Sequence, residues 1–328
     1  MNRDFSLIDG VTERAEEGLR VLEDIARFVL RNEGHFATLK TMRHQMLEIE
    51  ERLGSSTMLG GRVGEDIGER KVVKTEYDRS SLLSIIQANA KRAAQALRSL
   101  EEFAKVYSTT SAYQCESMRY ELYVLEHKLA RQTPYFWLKT YFEQGIVYPL
   151  SDSVEELQRL IRHGAKIIQL REKNPTLALE KGAELVSFIH AWNKQQIEPV
   201  LLIINDFPDV VAQLPVAGVH VGQDVVDLNR VRRVIGSNKI VGRSNTSLEQ
   251  IQESIEDGAD YVSIGPVFAT PTKPDRVSVG LDTVQEVANK ITTPWVAIGG
   301  IDRVTAKEVY RAGAKNVAVV RSARAFFE

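Results

Sequence analysis

Val200-Leu201-Leu202-Ile203-Ile204-Asn205-Asp206 reads as an apolar strand that ends on two oxygen-bearing side chains. The same phrase, an apolar run followed by a polar or glycine tip and a helical stretch, recurs on both sides of it. Downstream the tips are Gly218-Val219-His220-Val221-Gly222-Gln223-Asp224, Gly242-Arg243-Ser244, Thr270-Pro271-Thr272-Lys273 and Ile298-Gly299-Gly300. Upstream stands Gln169-Leu170-Arg171-Glu172-Lys173. Strands that alternate with helices build a parallel sheet, and the C-terminal ends of all its strands then face one way. Strands are predicted at 147–150, 166–170, 200–204, 218–221, 239–241, 261–264, 295–298 and 316–320, with helices such as 153–163 and 176–194 between them. Eight such units predict a closed (β/α)8 TIM barrel over residues 146–328 rather than an open sheet. Few residues follow the last strand, so the eighth helix is predicted to be a stub, with Phe326 and Phe327 or the N-terminal half covering the gap.

The N-terminal half has another texture. Gly18, Val21, Leu22, Ile25, Phe28 and Val29 fall at spacings of three and four, with Glu16, Arg20, Glu23 and Arg27 between them, which predicts an amphipathic helix. The stretch Arg14-Ala-Glu-Glu-Gly-Leu-Arg20-Val-Leu-Glu-Asp24 returns 78 residues later as Arg92-Ala-Ala-Gln-Ala-Leu-Arg98-Ser-Leu-Glu-Glu102, and Met42-Arg43-His44 is echoed by Met118-Arg119-Tyr120. Residues 1–132 therefore read as an all-α, pseudo-symmetric bundle of two helical hairpins. A glycine-rich charged loop, 60–68, is expected between the hairpins, and residues 133–145, dense in aromatics, are expected to be a linker that packs on something.

Bulk composition excludes several classes. A net charge of −2 offers no field for nucleic acid or a membrane surface. One cysteine, Cys115, rules out an internal disulfide framework and suits a reducing compartment. No apolar run approaches the roughly 20 residues of a membrane helix. The expectation is a cytoplasmic protein acting on small molecules.

The barrel rim gathers chemistry. Asn205-Asp206 could simply cap the next helix. With Asp224 on the neighbouring tip, and with no His or Cys cluster, the pair suits Mg²⁺ held partly by water and substrate oxygens. His220, inside its strand, reads as a hydrogen-bonded interior residue. Arg171 and Lys173, two apart, are expected on one side, either ion-paired or, with Lys273, surrounding a pyrophosphate with positive charge. Gln169 could orient a substrate through its amide. The Pro-rich 265–274 segment is either a rigid excursion or a phosphate clamp, and Gly299-Gly300 sits where many barrels hold phosphate on backbone N–H groups.

Taken in order, QLREK, IND, GVHVGQ, GPVFATPTK and VAIGGI closely resemble thiamine phosphate synthases over residues 146–323. That resemblance implies a TIM barrel joining hydroxymethylpyrimidine diphosphate to a thiazole phosphate, or its carboxylated form, with release of pyrophosphate. It implies that Gln169, Arg171, Lys173, Asn205 and Lys273 hold the pyrimidine diphosphate and that Asp206 holds Mg²⁺. Ser244 would contact the pyrimidine or the pyrophosphate, and Thr270, Thr272, Gly300 and the strand 8 tip would hold the thiazole phosphate. The family's Gln-x-Asp is here Gln223-Asp224-Val225, so the second metal contact lies open between Asp224 and Asp227. Its Val-Val-Ser tip is here Val319-Val320-Arg321-Ser322, which leaves Ser322 and Arg321 as alternatives. These departures also suit a weakened barrel that binds thiamine intermediates as a regulator. The first half resembles a helical domain fused ahead of some thiamine phosphate synthases and linked to phosphorylation of hydroxymethylpyrimidine phosphate. The match rests on the repeated Arg14–Asp24 motif and on Glu65-Asp66-Ile67-Gly68, in a sequence without a P-loop pattern.

Overall fold

A computed structural model describes residues 3–54, 81–224, 227–271 and 276–328. The 60–68 loop, Thr272 and Lys273 lie outside the described residues. The chain divides into two compact units, 1–132 and 133–328.

The first unit is helical. It contains α1 (Arg3–Asp24), running into a π-helical turn at Ile25–Val29, α2 (Glu33–Leu53), α3 (Leu82–Tyr107) and α4 (Thr109–Ala130). Asn32 caps α2 by accepting from the His35 N–H, and Ser81 and Ser84 form a reciprocal capping box at the start of α3. The sequence repeat is a structural one. Ile8, Ala15, Leu19, Leu22 and Ala26 of α1 and the turn after it match Ile86, Ala93, Leu97, Leu100 and Ala104 of α3, and all are buried in one core. At Gly18 a Cβ would come within 2.8 Å of the Asn89 carbonyl, so glycine is what lets α1 and α3 approach this closely.

The second unit opens with α5 (Pro134–Gln144), where a linker was expected. Thr133 caps it, Pro134 stands in its first turn, and Trp137, Leu138, Tyr141 and Phe142 are buried. These four pack with Ile167, Leu201, Ile240 and Tyr261, the first residues of their strands, and so plug the N-terminal end of the barrel. The aromatic density that suggested docking is a built-in stopper.

Eight parallel strands close in sequence order: β1 (Val147–Ser151), β2 (Ile167–Leu170), β3 (Leu201–Asn205), β4 (Gly218–Val221), β5 (Ile240–Asn245), β6 (Tyr261–Ile264), β7 (Trp295–Ile298) and β8 (Val317–Val319). Around them lie α6 (Val154–Arg162), α7 (Pro175–Asn193), α8 (Pro208–Gln213), α9 (Leu228–Ile235), α10 (Leu248–Glu256), α11 (Gly280–Lys290), α12 (Ala306–Arg311) and α13 (Ala323–Phe327). Strand alternation splits each strand's residues between two cores. Ile168, Leu202, Ile204, Val219, Val241 and Val262 face the helices, while Leu150, Ile167, Leu201, Ile203, Ile240 and Tyr261 face inward. The stub α13 covers its share of the barrel with partly buried Phe326 and Phe327 and clamps Glu156 of α6 through the Nε and Nη2 edge of the Arg324 guanidinium. Among the described residues, no helix is long and apolar enough to cross a membrane.

Candidate active site at the barrel mouth

The inward parity of the strands leads upward to one cavity of about 430 Å³. Gln169, Asn205, Ser244, Thr270, Gly300 and Ser322 line it together with Arg171, so seven sequence-predicted residues meet there. Gln169 on β2 and Asn205 on β3 stand two residues beyond the inward Ile167 and Ile203, and the Gln169 amide lies 3.4 Å from the Asn205 side-chain oxygen. Arg171 continues the same parity past the end of β2, where its backbone N–H bonds to the Ser151 carbonyl at 2.9 Å. Among the described residues, no carboxylate pairs with the Arg171 guanidinium, which leaves a cation at the mouth available for an anion.

Lys173 does not join it. The strand ends at Leu170, so the two-residue alternation that would put Lys173 beside Arg171 has stopped, and Lys173 is exposed in the turn before α7. Glu172 builds that turn. It accepts Lys181 Nζ at 2.6 Å and the N–H groups of Lys173 and Asn174, and these hydrogen bonds hold its carboxyl down at about 2. The ion pair in this motif belongs to Glu172 rather than to Arg171.

Asp206 and Asp224 are exposed and lie outside the cavity lining. Asp206 has φ +64°, a left-handed conformation that Asp tolerates better than most residues, and its N–H bonds to the His220 carbonyl at 2.9 Å. Its carboxylate also accepts the Asn205 amide. Asp227 is occupied as the cap of α9, accepting the Asn229 N–H at 2.8 Å. Among the described residues, no group of three His, Cys, Asp or Glu could hold a metal. Carboxylate and amide oxygens alone fit a hard cation such as Mg²⁺, which takes one or two protein carboxylates and completes its shell with water and phosphate oxygens.

Beneath the mouth runs a polar chain the sequence only half disclosed. Tyr148 and Tyr261 hydroxyls lie 3.1 Å apart, Tyr261 lies 2.9 Å from His220 Nδ1, and His220 Nε2 lies 2.9 Å from Ser244 Oγ. Burial raises both phenols, so they stay protonated at neutral pH. Gly242 makes the crossing possible, since a Cβ there would sit 2.3 Å from the Tyr261 ring and 2.5 Å from His220 Nδ1. His220 is thus the interior residue expected of it. The two tyrosines, first or second in their strands, carried no signal beyond their inward parity. Gln223 also escaped notice as a positioning residue: its amide donates to the Ser244 carbonyl at 2.7 Å and to the Asn245 side chain at 2.8 Å.

The opposite wall comes from the β6, β7 and β8 tips. Gly299 and Gly300 have φ of +104° and +65°, and a Cβ on them would strike Pro266 at 2.5 Å and Phe268 at 2.7 Å. Val267 and Phe268 donate their N–H groups to Ile298 and Gly299 carbonyls at 2.9 and 3.0 Å, tying the Pro-rich segment to β7. Ser322 donates its hydroxyl to the Ile301 carbonyl at 2.6 Å, whereas Arg321 is exposed and lines the cavity.

A family model described as thiamine monophosphate synthase matches residues 144–323. A model described as the ThiD2 family matches residues 6–128. The thiamine-phosphate synthase of Nostoc punctiforme is 32% identical over 321 residues, covering 97% of this chain and 89% of its own. That of Synechococcus sp. (strain WH7803) is 34% identical over 328 residues, covering 96% and 90%. Among solved structures, thiamine phosphate pyrophosphorylase from Pyrococcus furiosus aligns with a TM-score of 0.50 at 28% identity, covering 57% of this chain and 94% of that one.

Proposed function

The chain belongs to the thiamine monophosphate synthase family, and we propose that its barrel mouth joins hydroxymethylpyrimidine diphosphate to a thiazole phosphate, releasing pyrophosphate. One observation carries the residue assignment: Gln169, Arg171, Asn205, Ser244, Thr270, Gly300 and Ser322, read separately from six strand tips, line a single cavity.

The chemistry suits such a site. An aminopyrimidine donates electrons to its exocyclic carbon, so the carbon–oxygen bond can break heterolytically without a protein nucleophile. The protein then has to hold the departing pyrophosphate, keep water out and aim the thiazole nitrogen at the cation. Arg171 supplies fixed positive charge where negative charge develops, with Lys173 and Lys273 as the further cations of this reading. Gln169 and Asn205 hold the pyrimidine edge, and Ser244, braced by His220, contacts the pyrimidine or its diphosphate. Thr270, Thr272 and the backbone of Gly300 hold the thiazole phosphate. Because the Ser322 hydroxyl already donates to Ile301, Arg321 is the better phosphate partner of the two. When bound, Mg²⁺ would neutralise diphosphate charge, and Asp206, with Asp224, would hold it, since Asp227 is committed to its helix. For the helical unit the reading is phosphorylation of hydroxymethylpyrimidine phosphate, which would feed the barrel. The setting proposed for both activities is the cytoplasm.

Full-length protein incubated with both substrates and Mg²⁺ is expected to release pyrophosphate, and Asp206→Ala to abolish the Mg²⁺-dependent rate without loss of fold. No release by the parent chain would leave only a binding role, and a near-normal rate for Asp206→Ala would remove the metal assignment.

A further inference from the structure

The helical unit can be compared with itself. With α2 and α4 set in register at their N-caps, Asn32 and Ser108, their buried faces coincide: Leu39 with Cys115, Met42 with Met118, Met46 with Leu122, Ile49 with Leu125, and Leu53 with Leu129. Their ion pairs coincide too, Arg43 with Glu23 at 2.9 Å and Arg119 with Glu101 at 3.1 Å. The exposed faces near the C-terminal ends do not. Where α2 carries Leu47, Glu48, Glu51 and Arg52, α4 carries Tyr123, Val124, His127 and Lys128. On α2, Arg52 is neutralised by Glu48 at 3.3 Å and bonded to Gln114. On α4 the acids are replaced, and Tyr123, Val124, His127 and Lys128 line a groove together with Arg131 and with His35 from the first turn of α2.

That groove has the chemistry of an anion site. Its lining carries two imidazoles, an ammonium and a guanidinium, and no carboxylate. Acids close to the lining in sequence stay out of it, among them Glu126, whose carboxyl burial raises and the charge of His127 lowers, and Glu33 in the first turn of α2. Asn32 caps α2 at the His35 N–H, 2.9 Å away, so the positive end of a 21-residue helix adds to the field. Burial and then the charge of Lys128 hold the His35 imidazole below its ordinary value, so at neutral pH it stands as an uncharged hydrogen-bonding group beside the ammonium. Tyr123 and Val124, 45% and 55% exposed, provide an apolar shelf beside the charges. The Arg119 guanidinium, itself anchored to buried Glu101, sits 5.9 Å from the Tyr123 ring centre.

The geometry points to this groove as a binding site for a phosphate ester of an aromatic heterocycle, the phosphate among His35, Lys128 and Arg131 and the ring against Tyr123. Two sources share that chemistry, a pyrimidine phosphate and a nucleoside triphosphate, and naming these two rests on the proposed kinase role of the helical unit.

The test uses the full-length chain in an Arg171→Ala background, which weakens the barrel's own anion grip. Calorimetric titrations with ATP, hydroxymethylpyrimidine phosphate and inorganic phosphate are compared with and without Lys128→Ala/Arg131→Ala. At least one of the two esters is expected to bind tenfold or more weakly in the double variant, to lose about threefold with Tyr123→Leu, and to bind better than inorganic phosphate. With Arg171 intact, the double variant should couple ready-made diphosphate at the parent rate. Unchanged affinity for both esters, or no binding by the parent, overturns the site; inorganic phosphate binding as well as either ester overturns the role of the ring shelf. A phosphorylation assay separates the two claims. Lost ester binding in a chain that never phosphorylates keeps the site and removes the kinase reading, whereas phosphorylation undiminished in the double variant does the reverse.

Discussion

In the barrel unit, eight repeats agree about direction, and the chemistry gathers where they agree, at the common C-terminal rim. In the helical unit, two repeats agree about the core and about one ion pair each, and they differ on the outer face of α4, where the proposed anion groove lies. The same building method has opposite consequences. A parallel strand delivers a polar tip to a shared mouth, so repetition concentrates function. A helical hairpin consumes its repeated residues in packing and ion pairing, so repetition there makes scaffold.

The largest effect that would sharpen this contrast is at Arg171. Replacing it with alanine removes a cavity-lining cation that has no carboxylate partner among the described residues, and pyrophosphate release is expected to fall about 100- to 1,000-fold, the loss seen when a transition-state donor is removed. A loss under threefold in steady-state assays would mean that the shared rim is not where the charge develops.

Next come the twin ion pairs. The Glu101 and Arg119 side chains are 4% and 12% exposed, against 12% and 23% for Glu23 and Arg43. Glu101→Gln strands a largely buried guanidinium and is expected to cost about 3 kcal/mol, whereas Glu23→Gln should cost about 1 kcal/mol. Native-state hydrogen exchange within the helical unit would measure both, and equal costs would break the claim that the repeats differ in burial. Burial acts to raise the Glu101 carboxyl, but hydrogen bonds from Arg119 and Arg98 outweigh it and leave it below the ordinary value. The pair's stabilisation is therefore complete above the unfolded carboxyl value of about 4.3 and is lost as pH falls through the lower folded value. The difference between parent and Glu101→Gln should close in acid.

The smallest effect belongs to the buried chain under the mouth. Tyr261→Phe leaves His220 Nδ1 and the Tyr148 hydroxyl without their shared partner and is expected to cost about 1 kcal/mol of stability with a modest fall in rate. A rate loss as large as that of Arg171→Ala would make the chain part of the reaction rather than a brace for Ser244.

The barrel was legible because each strand is an apolar run closed by a polar tip, and β4, β6 and β7 begin and end where the sequence puts them. Gln169, Asn205 and Ser244 were legible for the same reason, since strand parity fixes which side chains look inward. Lys173 falls outside the cavity lining because the end of β2 depends on tertiary pairing, with Leu170 in register with Ser151 and Ile204, and not on anything local to the motif. Residues 133–145 read as a linker because a helix that plugs a barrel is apolar on more than one side and shows little helical periodicity. The Tyr148–Tyr261–His220–Ser244 chain joins four strands far apart in sequence, and no local pattern announces it.

The most direct measurement is a crystal structure of the chain grown with pyrophosphate and magnesium. The pyrophosphate is expected against Arg171 and Asn205 inside the barrel mouth, with the cation bridging it to Asp206. Pyrophosphate ordered elsewhere, with Arg171 and Asp206 untouched, would contradict the account.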